Sequence, residues 1–149
     1  MPGRLLSVSG PIPEAHLGEP IMVVTTNLFI VALVLYCEAA GEPIQGKEGV
    51  ATVILNEAKA KEMDIGSIVK NGARYTAYKN ISAFSVDYKS EAWNECVQLA
   101  VKMDSGEFQP LADWTHYYNP RRASPHWKED LKNVKTIGNH IFGTLEEGA

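Results

Sequence analysis

Three glutamates, Glu38, Glu42 and Glu48, fall within the stretch LYCEAAGEPIQGKEGVATVILN, residues 35–56. The first stands directly after the apolar run LFIVALVLYC. On a helix, Val31, Val34 and Leu35 precede Glu38 at spacings that share its face. If that face is buried, Glu38 is buried with it. Burial disfavours a charged carboxylate, and the negative end of the helix dipole acts in the same direction. The outcome would be an acid that keeps its proton near neutral pH, as a general acid at a glycosidic oxygen must. A helix-end glutamate turned toward solvent would leave the same pattern, so the stretch alone leaves both readings open. Glu42 follows the helix stop and suits either a second active-site carboxylate or a loop anchor. Glu48 suits a solvated helix start, where a carboxylate complements the dipole.

Other chemistry is sparser. AFSVDY (83–88) and THYYNP (115–120) mix aromatic and polar residues. Sugar rings stack on aromatic faces while their hydroxyls seek Asn, Ser and Tyr, so such clusters suit a carbohydrate cleft, and equally a core edge. His116, His126 and His140 are too far apart in sequence for an HExxH-type zinc site and read as polar surface or supporting residues. Neither metal nor cofactor is expected. A nucleophilic Cys37 is disfavoured, because a thiol beside a carboxylate has its pKa raised. Cys37 and Cys96 form no CxxC pair and read as free thiols in apolar stretches, although one disulfide is compatible with the count.

The elements that must position these residues follow from punctuation and periodicity. Residues 1–24 carry Pro2, Pro11, Pro13 and Pro20 with Gly3, Gly10 and Gly18, and read as an extended leader or appended arm. Residues 25–149 are expected to form a single domain. A first helix is expected from Thr25–Asn27 to about Ala40, stopped by Gly41 and Pro43. A second, central and buried, should run over Lys47–Ala60, with Gly46, Gly49 and Ala51 permitting close helix contact. A short helix is expected within 63–72, loop and short strand over 73–88, and a third long helix over Ser90–Asp104 ending at Gly106. VKTIGNHIFGTL predicts a hairpin turning at Gly138-Asn139. The class is α+β, mainly helical with a small hairpin or sheet.

A chain of 149 residues suits one core, and its net charge of −4 gives no general field for nucleic acid or anionic membrane. The ten-residue run Leu28–Cys37 is about half of a membrane span, so no stable membrane insertion is expected.

Taken together, these residues resemble the SleB-type cell-wall hydrolase family, which includes the spore-cortex-lytic enzymes. YCEAAGEPIQGKEGVATVILN is similar to its opening signature, AFS to its central Phe-Ser element, and THYYNPRRASPHW with IGNHIF to its closing signature. The resemblance implies a lysozyme-like catalytic domain acting on peptidoglycan glycan strands at the bacterial cell wall. It is expected to act as a monomer, made in the cytoplasm and released or exported by a route not visible in the sequence. Carried over by position, Glu38 falls on the catalytic glutamate, and Phe84, Ser85, Tyr117, Tyr118, Asn119 and Trp127 fall on motifs that shape the cleft. The implied activity is that of a lytic transglycosylase working with one carboxylate. The alternatives are a muramidase with a second carboxylate (Glu42, Asp87 or Asp113) and a non-catalytic glycan-binding module. A catalytic domain of this size would suit a phage endolysin or a small bacterial wall enzyme. Two departures, Glu57 after Asn56 and Val86-Asp87 after the Phe-Ser element, bear on the cleft rim.

Overall fold

Thr25 starts the first helix as its residue type predicts: its Oγ1 accepts from the Leu28 amide at 3.2 Å. This first helix, α1 (Thr26–Ala39), belongs to a computed structural model that describes residues 25–71, 74–82 and 85–146. The expected leader or arm and Phe84 lie outside the described residues. Leu28, Val31, Ala32, Val34 and Leu35 are buried along α1, so the apolar run is a core helix. Among the described residues no helix is long and apolar enough to cross a membrane. The Ala40 amide still reaches the Tyr36 carbonyl at 3.0 Å before the chain breaks at Gly41.

Helix α2 (Ile44–Lys61) begins directly after Pro43, earlier than the expected Lys47. Proline's missing N–H costs nothing at a helix start, where the first amides have no intrahelical partner, so the stop signal of α1 is also the start signal of α2. Val50, Ala51, Val53 and Ile54 are fully buried, as a central helix requires. Two of its small residues meet partners other than a helix, Gly46 facing the Glu42 side chain. Gly49 lies beneath the ring of Phe142, and a Cβ there would overlap that ring. Gly49→Ala is therefore expected to destabilise the fold by about 1–3 kcal/mol, read as a lower midpoint in urea at unchanged slope.

Helices α3 (Ile65–Asn71) and α4 (Glu91–Ser105) complete the helical layer, and α1 packs against α2, α3 and α4. Ser90 caps α4 by accepting from the Trp93 amide at 3.1 Å, and Gly106 closes it at φ 83°. The strand expected within 73–88 is absent among the described residues, where a 3₁₀ turn at Ala77–Asn80 takes its place. Tyr75 and Val86 bury individually there, giving anchors without the alternation a strand needs.

The sheet is antiparallel in the order β1-β3-β2, with β1 at His116–Tyr118, β2 at Lys132–Ile137 and β3 at His140–Thr144. The predicted hairpin turns at Gly138-Asn139, with Gly138 at φ 59° where favoured two-residue turns need a positive angle. Tyr117 pairs with Phe142 across β1 and β3. The fold is α+β and mainly helical, with the sheet laid on α2 through Phe142.

Candidate active site

Glu38 occupies the last turn of α1, one turn beyond the buried Val34 and Leu35. It is itself half-buried, so its side chain stands where the core ends and an open depression begins. The Tyr117 hydroxyl donates to Glu38 Oε1 at 2.5 Å. Burial first, and then the Glu38 carboxylate, hold the Tyr117 hydroxyl pKa well above its usual value, so it remains a donor. Tyr117 is in turn fixed on β1 by its neighbours on β3, with its ring 5.4 Å from His140 and 5.6 Å from Phe142.

Two depressions meet at this residue. The larger, about 670 Å³, runs between the α1–α2 turn and the segment after β1, and includes Tyr36, Glu42, Tyr118, Asn119 and Trp127. The smaller, about 360 Å³, is lined by Arg74, Tyr75 and His116. Glu38, Tyr117 and Trp127 line both. A chain laid across the two would therefore pass over Glu38. Volumes of this order suit one or a few sugar rings, and aromatic walls suit their apolar faces.

The structure distributes the other expected residues unevenly. Trp127 meets Tyr118 edge-on at 5.7 Å and His116 at 4.8 Å, which makes it the aromatic hinge between the depressions. Asn119 builds the turn that follows β1: its Oδ1 accepts from the Arg121 amide, and its carbonyl accepts from the amides of Arg122 and Ala123. Ser85 is exposed, lies 2.9 Å from the Ser82 hydroxyl and lines neither depression. Phe84 lies outside the described residues.

Of the three further carboxylates, only Glu42 reaches the larger depression, and it is an anchor. Its Oε1 accepts from the Asn139 amide and its Oε2 from Asn139 Nδ2, both at 2.8 Å, with His140 Nδ1 at 3.6 Å. Burial would raise its pKa, but the two Asn139 bonds, His140 and Lys47 outweigh that and hold it below the usual value. Asp87 is exposed and accepts from the Lys89 amide. Asp113 accepts from Asn133 and Thr144, which hold its pKa down and tie it to the sheet.

Several supporting residues escaped sequence reasoning. Lys47, read as a helix start, is buried and donates to the Glu42 carbonyl at 2.5 Å while pairing with Glu95 at 3.2 Å. For His140 the supporting reading holds over the surface one, though its partner was not foreseen: it is buried against Glu42. Glu57, one of the two departures, accepts from Arg74 and Tyr75, each at 3.2 Å, while Arg74 also donates to the Thr115 carbonyl. It thus ties α2 to the floor of the smaller depression. Cys37 and Cys96 are free thiols; burial first, and then Glu38, push the Cys37 pKa up, which argues against a nucleophile there. Among the described residues no group of His, Cys, Asp and Glu is placed to hold a metal ion.

Comparison with known proteins gives this geometry a family. Residues 41–143 match the family model described as Cell Wall Hydrolase. The chain belongs to the cell wall hydrolase family. Among curated relatives, the spore cortex-lytic enzyme of Bacillus subtilis is 27% identical over 118 residues, covering 78% of this chain and 37% of that protein. The corresponding enzyme of Halalkalibacterium halodurans is 28% identical, with 78% and 34% covered. The chain thus spans well under half the length of these curated relatives.

Among solved structures, the catalytic domain of the germination-specific lytic transglycosylase SleB from Bacillus anthracis aligns with a TM-score of 0.61 at 25% identity, covering 80% of this chain and 96% of that one. The catalytic domain of Bacillus cereus SleB aligns with a TM-score of 0.59 at 27% identity, covering 79% and 89%. The SleB-type resemblance and the lysozyme-like α+β fold both stand.

Proposed function

We propose that this domain cleaves the MurNAc–GlcNAc β-1,4 bond of peptidoglycan as a lytic transglycosylase, with Glu38 as its single catalytic carboxylate. One observation carries the reading. Among the described residues Glu38 and Glu42 are the only carboxylates lining the larger depression, and both oxygens of Glu42 are engaged by Asn139. Most glycosidases need a second carboxylate to activate water or attack the sugar. Here that second group is committed to holding a turn. The likeness to the SleB catalytic domains supports the same reading.

In this mechanism Glu38 gives its proton to the leaving glycosidic oxygen, and the glycan bond to the muramic C1 breaks. The resulting carboxylate then takes the proton of the muramic C6 hydroxyl as that oxygen closes on C1, which restores the acid and leaves a 1,6-anhydro ring. The Tyr117 bond to Oε1 holds the carboxyl in one orientation and leaves Oε2 to exchange the proton. Trp127 and Tyr118 would support the sugar face on one side.

Mass spectrometry of digested murein tests the reaction. Anhydro-muramic ends are expected; ordinary reducing ends alone would establish a muramidase. Binding to walls with no cleavage would establish a glycan-binding module. Tyr117→Phe removes the hydroxyl that orients the acid and should lower kcat about fivefold to thirtyfold, with KM largely kept. Steady-state rates on soluble glycan strands check this, and an unchanged kcat would remove Tyr117 from the machinery.

A further inference from the structure

Among the described residues, the larger depression carries one positive charge without a protein partner. Arg122 lines the larger depression together with Glu38, and it is exposed. Among the described residues it is the only lysine or arginine on that lining, and its guanidinium has no hydrogen-bond or ion-pair partner. Arg74 in the smaller depression is its opposite: one nitrogen is held by Glu57 and another by the Thr115 carbonyl. Lys47, Lys61, Lys102 and Lys132 are likewise paired with carboxylates.

Arg122 is also held in place at its backbone. Its amide donates to the Asn119 carbonyl at 2.9 Å, the next amide donates to the same oxygen at 3.0 Å, and Asn119 Oδ1 holds the residue before it. The turn therefore fixes where the side chain leaves the backbone, on the wall of the depression. A guanidinium in that position offers a planar fork of donors matched to a carboxylate. A chain with a net charge of −4 has no general attraction for acids, so any preference for one must be local.

We infer that Arg122 is a specificity residue that recognises a carboxylate on the side arm of the muramic residue. This rests on the proposed peptidoglycan substrate and narrows it. The glycan backbone itself is neutral; its acid is carried on the muramic C3 ether, either as the free lactyl carboxylate or as carboxylates of an attached peptide. Where that acid is closed onto the C2 nitrogen as a lactam, the site has nothing ionic to bind. The domain is therefore built for acid-bearing murein over lactam-rich glycan.

Equilibrium binding on the Glu38→Gln background tests this, using three strands with one glycan backbone: peptide-bearing, peptide-stripped with free lactyl acid, and stripped with that acid amidated. The acid-bearing strands should bind roughly threefold to tenfold more tightly than the amidated one, with the difference shrinking as salt rises. Adding Arg122→Gln should erase the difference, and Arg122→Lys should keep part of it. A preference shown by stripped strands assigns the lactyl acid, whereas one confined to peptide-bearing strands assigns the peptide. Equal binding of all three strands, or a preference that survives Arg122→Gln, overturns the proposal. Because binding is read without catalysis, a native protein that cleaves none of the strands would refute the transglycosylase reading and leave the Arg122 comparison intact.

Discussion

Replacing Glu38 by glutamine is expected to lower kcat on murein by about 10²–10⁴-fold, the range a positioned general acid supplies. The substitution removes the transferable proton and almost nothing else. An amide carbonyl can still accept from the Tyr117 hydroxyl now bonded to Oε1, and the buried neighbours Val34 and Leu35 are untouched. The melting temperature should consequently stay within about 2 °C of the native value, because the change preserves shape at a half-buried position. Turbidity clearing of purified walls, run beside a thermal melt, gives both numbers. Native-rate lysis by the variant would eliminate Glu38 as the acid. A large fall in melting temperature would instead make the loss structural.

Helix physics put Glu38 on the face of Val31, Val34 and Leu35, all of which are buried, but left its role open, and the role came from the resemblance. The stop at Gly41 and Pro43 was equally readable, since both residues restrict the backbone locally. The hairpin at Gly138-Asn139 belongs to the same class: a positive φ at one position selects glycine wherever the turn lies in the fold. What escaped notice is long-range. Three-residue strand β1 is too short to display alternation, and its partner on β3 lies more than twenty residues further along the chain. Gly49 looked like a helix-contact residue because periodicity names a face but cannot name what packs on it. Tyr117 lines both depressions, but its hydroxyl bond to Glu38 joins segments far apart in the chain and could not be read from the sequence. Buried Lys47 was hidden for a related reason, as was the partner of His140. Lys47 reads as solvated, and His140 has no assigned partner, until Glu95 and Glu42 are brought in from distant segments.

Those hidden partners make Glu42 the most consequential structural carboxylate near the cleft. Its side chain joins the α1–α2 turn to the hairpin turn, with Asn139 bonded twice and His140 and Gly138 packed against it. Glu42→Ala would remove both acceptors of Asn139 and leave His140 Nδ1 without the Glu42 carboxylate. Glu42 is buried but Asn139 is exposed and can turn to water, so the cost of losing these bonds is about 1–3 kcal/mol, still a sizeable share of a small domain's stability. A melting temperature lower by roughly 3–10 °C should follow for a chain of this size. Acid gives an independent check with a definite sign. The folded-state pKa of Glu42 lies below its ordinary value of 4.5, so its ionised form stabilises the fold above that pH. That contribution is lost as the pH falls through the folded pKa. The gap in melting temperature between native protein and Glu42→Gln should thus be wide at pH 7 and close progressively at pH below about 4. A gap that stays constant across that range would mean the charge of Glu42 is not what holds the two turns together. An alanine variant as stable as the native protein would mean the clamp contributes nothing to the fold beneath the cleft.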